Sequence, residues 1–504
     1  MPELSPSGIL VLSMICVSIV QESRRLALAD MLNAVMLGAD LIEVRLDKFE
    51  KDANLTELVS ARRKPVLFSC RRPCDGGVWA GADDERLILL RSAVMAKADY
   101  VELELDIADE VRSFPGCQRV ISYTNLDETP KDIDEIYTQL QTKKPDVIKI
   151  TCMARTIEEA WPLVQLLNKP PVPTVVTGIG PAALMLAMVG RKIGSPWTTA
   201  AIERGMEAYP GQPTISDLID VYHYRNIGKK TRFFGVVGAG ENARLTAGLF
   251  NAAFAHLESH NRALPLQMGK RKHFKKVADA VRLQGVFLEE EAYEGLHEIA
   301  MYDDSSRVPT LAADGLSPVE EGWSAFNTLG NAAVTALEKI MKERGADGVL
   351  KGRAIMLAGC GPLTRMMAIA LKARGTSLIW ASKHREAAKS MSQTFGGRQL
   401  MWEAIYNTSH DVLVIGRDGE KDPLDESEDL PLHPGYLKSS MAVIDLTAGI
   451  RQTKMLKEAA VRGCAIVSPA RLLIERIREH VRKVGFEVPY EMLQEKLASW
   501  MPEN

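Results

Sequence analysis

One lysine stands inside an otherwise apolar, β-branched run, Asp146-Val147-Ile148-Lys149-Ile150-Thr151. Such a run reads as a parallel strand covered on both faces, where desolvation penalises an ammonium that nothing neutralises. Lys149 is then either an amine kept to attack a carbonyl and form a Schiff base, or a strand-end residue that reaches water along its stem. The ends of the neighbouring apolar runs bear on that choice. Glu43, Arg45 and Asp47 alternate, so they face one side of their strand. Arg71-Arg72 precede Cys74-Asp75-Gly76-Gly77, and Glu102 with Glu104, then Thr124 with Asn125, end the next two runs. Taken singly, each reads as a core ion-pair member. Arginines converging with carboxylates around a strand lysine suggest a pocket for a small anionic carbonyl compound.

These residues need a frame. Apolar β-branched runs alternate with helical patterns eight times: Met14–Ile19, Leu41–Leu46, Pro65–Cys70, Tyr100–Leu105, Arg119–Tyr123, Val147–Thr151, Val172–Thr177 and Trp197–Ile202. Amphipathic stretches such as Arg24–Leu37, Glu85–Lys97, Ile133–Thr142 and Ile157–Leu167 lie between them. Eight βα units in about 220 residues is the count of a closed (β/α)8 barrel, whose chemistry sits at the C-terminal ends of its strands.

At 504 residues the chain is too long for one core. A net charge of -3 leaves no basic footprint for nucleic acid, and no apolar run approaches a membrane span. The stretch Ile9 to Val20 lacks a preceding basic segment and reads as a first strand rather than a signal peptide. Seven scattered cysteines without CxxC pairs argue for reduced thiols in a cytoplasm and against a disulfide framework or a zinc site.

The motifs carry a resemblance. Gly38-Ala39-Asp40-Leu41-Ile42-Glu43-Val44-Arg45-Leu46-Asp47, Leu67-Phe68-Ser69-Cys70-Arg71, Val147-Ile148-Lys149-Ile150-Thr151 and Tyr209-Pro210-Gly211-Gln212-Pro213-Thr214 resemble type I 3-dehydroquinate dehydratases in order and spacing. The resemblance implies that Lys149 forms an imine with the ketone of 3-dehydroquinate, acidifying the neighbouring C–H so that water is eliminated without a cofactor. It implies that Glu43, Arg45, Arg71, Gln212 and Ser18 hold the substrate. The departures are specific: Thr124 stands where the family has its acid–base histidine, and Asp75 where a glutamate supports that histidine. Ala187 replaces a carboxylate-binding arginine, with Arg191 one helical turn further on as a substitute, and Ala208 replaces a serine. A hydroxyl does not exchange protons at neutral pH as imidazole does.

Past the short polar linker Gly228-Lys229-Lys230-Thr231 a new apolar run begins, Phe233-Phe234-Gly235-Val236-Val237-Gly238. The junction is similar to plant-type proteins that fuse the dehydratase to shikimate dehydrogenase. The expected layout is a barrel over 1–228, a substrate domain over 232–345 completed by helices in 471–504, and a Rossmann-type nucleotide domain over 350–470. Ala354–Ala358, then Gly359-Cys360-Gly361-Pro362-Leu363-Thr364, then a helical stretch is the strand–turn–helix context for a pyrophosphate, through Gly359, Gly361 and Thr364. Ser382-Lys383-His384-Arg385 at the next strand end is basic, as the 2′-phosphate of NADP requires; Ser382, Lys383 and Arg385 are the candidates, a solvated helix start being the alternative.

The dehydrogenase's own catalytic groups do not line up. Its serine motif falls on Arg244 and Thr246, its lysine at Tyr293 and its paired aspartate on Leu329, leaving Asn327 as a ligand-hydroxyl binder. The reading is a shikimate-pathway bifunctional enzyme, acting on 3-dehydroquinate and, with NADP, on 3-dehydroshikimate. A degenerate relative that binds a metabolite or nucleotide for regulation or scaffolding is the alternative. A homo-oligomer is compatible with either.

Overall fold

In a computed structural model of the chain, residues 13–50, 53–168, 172–302, 312–418, 432–483 and 485–501 are described. They divide into two compact units, Met1–Thr231 with Leu264–Ala280, and Arg232–Ala263 with Val281–Asn504.

The first unit contains eight parallel strands: β1 (Met14–Ile19), β2 (Leu41–Arg45), β3 (Val66–Ser69), β4 (Tyr100–Glu104), β5 (Gln118–Asn125), β6 (Val147–Met153), β7 (Thr174–Ile179) and β8 (Trp197–Ala200). Their hydrogen-bonded order is β7-β6-β5-β4-β3-β2-β1-β8, and β7 lies against β8 to bring the ends of the sheet together. This is the expected barrel. Helices α1 (Arg24–Met36), α2 (Leu55–Ala61), α3 (Asp83–Met95), α4 (Ile133–Thr142), α5 (Ile157–Leu166) and α6 (Ala183–Ile193) form its connections. Ser23 caps α1 by accepting the Leu26 N–H, Thr156 caps α5 through Glu159, and Gly194 ends α6 at φ 114°.

Three adjacent strands, β5, β6 and β7, each end two residues later than the sequence pattern suggests. β5 continues past Tyr123 because Thr124 and Asn125 pair with Thr151 and Cys152, and β7 runs to Ile179 against Met153. Pairing with a longer neighbour overrides the local pattern.

Two further six-stranded sheets belong to the second unit, apart from Leu264–Leu266 at the edge of the first, which group with the first unit. The first is built from β9 (Arg232–Val237), β10 (Asn261–Leu266), β11 (Val286–Leu288), β12 (Met301–Tyr302), β13 (Gly315–Val319) and β14 (Gly322–Phe326), in the order β10-β9-β11-β13-β14-β12. Its helices include α7 (Gly240–His256), α8 (Arg271–Val281, most of which groups with the first unit) and α9 (Leu329–Glu343). The second sheet is all parallel: β15 (Ala354–Ala358), β16 (Ser377–Ser382), β17 (Arg398–Met401), β18 (Val412–Ile415), β19 (Ala442–Asp445) and β20 (Ala465–Val467). The order β17-β16-β15-β18-β19-β20 reverses direction between β15 and β18, the doubly wound arrangement with a ligand crevice at the switch point. Its helices are α10 (Pro362–Ala373), α11 (Arg385–Phe395) and α12 (Lys454–Val461), followed by α13 (Pro469–Lys483) and α14 (Tyr490–Trp500).

Among the described residues no helix is long and apolar enough to cross a membrane, and no cluster of His, Cys, Asp or Glu is arranged to hold a metal. All seven cysteines are free.

Candidate functional site

Side-chain alternation builds the barrel interior in layers. Cys16, Leu41, Leu67, Val120, Val147, Val175 and Trp197, with Met14 and Tyr100, form an apolar floor, in which Tyr100 meets Trp197 edge to face at 5.7 Å. Two residues further along each strand the same face becomes polar, with Ser18, Glu43, Ser69, Glu102, Ser122 and Lys149 all buried.

Lys149 is 2% exposed, which excludes the reading in which its stem carries the ammonium to water. Its Nζ lies 2.9 Å from Glu102 Oε2 and 3.6 Å from Glu43 Oε1. Arg71 Nη2 bridges the same two carboxylates at 2.7 Å from Glu43 and 3.0 Å from Glu102. Ser18 donates to Glu43 at 2.7 Å and Ser69 donates to it at 3.0 Å. Gln212 Nε2 donates to Ser18 Oγ at 3.3 Å while its own Oε1 accepts the Ala208 N–H at 2.7 Å. Lys149, Glu43, Arg71, Ser18 and Gln212 thus form one connected network, and Glu102, a strand-end carboxylate with no substrate role assigned from sequence, joins its two cations.

Gln212 reaches this network because Gly211 turns the chain at φ 84°. A Cβ there would stand 2.2 Å from the Gly180 carbonyl oxygen.

Charge balance decides the protonation states. Burial pushes the Glu43 carboxyl up, but Lys149, Arg71 and Arg45 outweigh it and, with the Ser18 hydrogen bond, hold it well below the usual carboxylate range. Burial likewise raises Glu102, and Arg71 and Lys149 reverse the shift. Glu104 differs: burial lifts its carboxyl to about 7 against the opposing pull of Arg86, whose Nη1 is 2.7 Å away.

Arg45 grips Asp47 through two hydrogen bonds of 2.9 Å and donates to the Gly76 carbonyl at 3.1 Å. Arg45 Nη1, Arg71 Nε and Ser122 Oγ are buried with no partner among the described residues. Guanidinium donors of Arg45 and Arg71 left over on the face that carries the buried amine suit an anionic, hydroxylated ligand.

Thr124 sits half-buried at the end of β5, on the inward face by alternation and in register with Thr151. Asp75 is held by Arg72 Nε at 2.7 Å, and Arg72 also binds Asp106. Ala187 is buried within α6. The expectation that Arg191 substitutes for the missing arginine is not met. Its guanidinium donates to the carbonyls of Ser13, Ile227 and Arg225 and lies 4.8 Å from the Tyr224 ring centroid. Ser13 precedes β1, so Arg191 stands at the N-terminal face of the barrel, where α6 returns after running antiparallel to the strands.

In the second unit a cleft of about 430 Å³ is lined by Asn242, Thr246, Tyr293, Leu329, Arg417 and Arg476, among others. It brings together three positions matched from sequence, Thr246, Tyr293 and Leu329. Arg244 instead pairs with Glu241 at 2.6 Å, and Asn327 accepts the Gly330 N–H at 3.2 Å and is absent from the lining. Arg476 was not foreseen; its Nη2 donates to the Tyr293 hydroxyl at 2.8 Å. Its signal was the spacing Leu472, Arg476, His480, which sets Arg476 on a helix face one turn from two buried positions.

The glycine turn after β15 lies at the switch point, and the N–H groups of Cys360 and Gly361 in it are engaged, as is that of Lys383 beside it. Cys360 N–H donates to Asp418 Oδ1 at 3.0 Å, Lys383 N–H to Asp418 Oδ2 at 3.2 Å, and Gly361 N–H to the Arg417 carbonyl at 2.6 Å. Gly359, at φ 103°, admits this loop: a Cβ there would lie 2.7 Å from the Gly416 carbonyl carbon. Thr364 is fully buried and donates back to the Gly361 carbonyl. Ser382 is buried and accepts the His384 N–H; Lys383 and Arg385 are exposed, the Lys383 ammonium lying 5.6 Å from the Trp402 ring centroid. As arranged, the N–H groups of Cys360 and Gly361 are taken by residues 417 and 418 and are not open to a diphosphate.

Comparison with known proteins bears most directly on the first unit. The family model of type I 3-dehydroquinase matches residues 15–229. A 3-dehydroquinate dehydratase of Methanopyrus kandleri is 35% identical over 191 residues, 37% of this chain and 87% of that protein. The bifunctional chloroplastic 3-dehydroquinate dehydratase/shikimate dehydrogenase of Arabidopsis thaliana is 26% identical over 511 residues, covering 95% of this chain and 83% of that protein. A solved shikimate dehydrogenase of Aquifex aeolicus aligns with 54% of this chain and 99% of its own, at 18% identity and TM-score 0.47. Through its eight-stranded barrel, the chain belongs to the type I 3-dehydroquinase family.

Proposed function

We propose that the chain is a shikimate-pathway enzyme whose barrel dehydrates 3-dehydroquinate to 3-dehydroshikimate through an imine on Lys149. One observation carries the reading: a buried strand amine, in a family of dehydratases, beside arginine donors that lack partners. The Lys149 amine adds to the substrate ketone and water leaves, giving an imine whose protonated form draws electrons from the adjacent C–H. Loss of that proton and of the β-hydroxyl as water completes the dehydration, and hydrolysis returns the amine. Arg71 and Arg45 hold the carboxylate, and Gln212, Ser18 and Glu43 the hydroxyls. With Thr124 and Asp75 at the proton-transfer positions, that transfer is the slow part of the cycle.

For the second unit the reading is the companion activity named for the Arabidopsis relative, shikimate dehydrogenase, and the resemblance of the chain implies NADP as its cofactor; the residues that depart from that family at Arg244, Tyr293 and Leu329 make this the weaker of the two activities. Free thiols throughout support a reducing, cytoplasmic setting.

Borohydride reduction in the presence of 3-dehydroquinate, followed by intact mass measurement, tests the barrel reading. One reduced adduct is expected, mapping to Lys149 and absent from Lys149→Ala. An adduct that survives the substitution would move the chemistry elsewhere.

A further inference from the structure

We infer that Asp418 is a built-in substitute for a phosphate, and the residue that keeps a dinucleotide diphosphate out of the second unit. The inference rests on the reading of the β15–β20 sheet as a nucleotide domain, which its strand order supports. In that architecture the ligand's diphosphate lies over the turn after the first strand, against backbone N–H groups. Here the two oxygens of one carboxylate take the N–H groups of Cys360, after β15, and Lys383, after β16, at 3.0 and 3.2 Å. The Gly361 N–H is spent on the Arg417 carbonyl at 2.6 Å, and Pro362, the first residue of α10, has no N–H to offer.

The approach is built in on both sides. Gly359 could not carry a Cβ without striking Gly416, and a Cβ on Gly416 would stand 2.4 Å from Thr364 Cγ2. Both glycines are thus accounted for by loop-to-turn contact, without a ligand. A carboxylate accepting two backbone N–H groups makes charge-assisted hydrogen bonds, and it repels a second anion brought to the same donors. The ligand it excludes is the diphosphate of NADP or NAD, and any second activity waits on its displacement.

The test is titration of the full chain with NADPH, NADP and NAD, comparing the natural sequence with Asp418→Ala and the near-isosteric Asp418→Asn. Losing a charged acceptor from two hydrogen bonds should tighten nucleotide binding by about 10- to 100-fold in Asp418→Ala, and by less in Asp418→Asn, whose amide oxygen still accepts. Hydrogen exchange on the nucleotide-free natural chain adds a readout independent of variant folding: the amides of Cys360 and Lys383 should be protected, and freed in Asp418→Ala. Equal affinity in all three proteins would overturn the inference while leaving the nucleotide-domain reading intact. Freed amides with no binding of any nucleotide would overturn both. The Lys149 adduct is a separate measurement and tells either failure from loss of the barrel reading.

Discussion

The Lys149 ammonium and the Glu102 carboxylate lie 2.9 Å apart, and Glu102 is at the same time 3.0 Å from Arg71. One carboxylate therefore bridges the proposed nucleophile and a proposed substrate-binding cation, and together with Glu43, which contacts the same pair, it balances their two charges. Glu102→Gln keeps the shape and removes the charge. Breaking a buried ion network by removing one partner costs about 3–5 kcal/mol, and urea unfolding should show a loss of that order. The sign of the pH dependence follows from the depressed carboxyls of Glu43 and Glu102. Their contribution is complete above the ordinary carboxylate range and is lost as pH falls through their folded values. A variant as stable as the natural chain would remove Glu102 from the network's energetics.

Thr124→His should raise kcat with little change in KM, because the gain lies in proton transfer within the transition state. General acid–base catalysis is worth about 10²–10⁴-fold. Asp75 is engaged by Arg72, so only part of that is expected from the single substitution, and more from Thr124→His combined with Asp75→Glu. Steady-state kinetics on 3-dehydroquinate decide it. An unchanged or slower Thr124→His would place the deficit elsewhere, Ala187 being the next candidate.

Arg191→Ala should weaken the barrel without touching substrate binding. The side chain ties three carbonyls at the N-terminal face, among them those of Ile227 at 3.1 Å and Arg225 at 2.9 Å. Loss of hydrogen bonds from a charged donor predicts a fall of about 1.5–3 kcal/mol in unfolding free energy. A raised KM at unchanged stability would instead return Arg191 to the active site.

His480 predicts acid sensitivity in the second unit. Its ring is fully enclosed by Phe234, Phe250, Phe287 and Phe326, with Thr328 Oγ1 at 2.9 Å from Nδ1. Burial lowers its pKa to about 4, Asp314 pulling the other way and Arg476 and Lys483 adding to the depression. The folded value lies below the unfolded one, so the stabilisation is present above about 6.5 and is lost as pH falls toward 4. His480→Phe should flatten that part of the curve, by on the order of 3 kcal/mol at its foot. Parallel pH–stability curves for the two proteins would show that folding does not lower the His480 pKa.

Much of the barrel was legible in the chain itself. Apolar β-branched runs alternating with helical patterns dictate eight βα units, and a lysine in a run of β-branched residues marks its own strand. The alternation of Glu43, Arg45 and Asp47, or of Val147, Lys149 and Thr151, sets which side chains share the interior, because that periodicity is local. What alternation cannot supply is partnership between strands. That Lys149 meets Glu102 rather than water, and that Arg191 returns to the wrong face, depend on barrel closure and the direction of α6. The glycine turn makes the same point in the second unit. Gly359-Cys360-Gly361 reads alike whether a diphosphate or a neighbouring loop fills it, since the motif encodes only room for a close approach. Only the tertiary structure, by bringing residues 416–418 across from β18, decided that Asp418 takes the place.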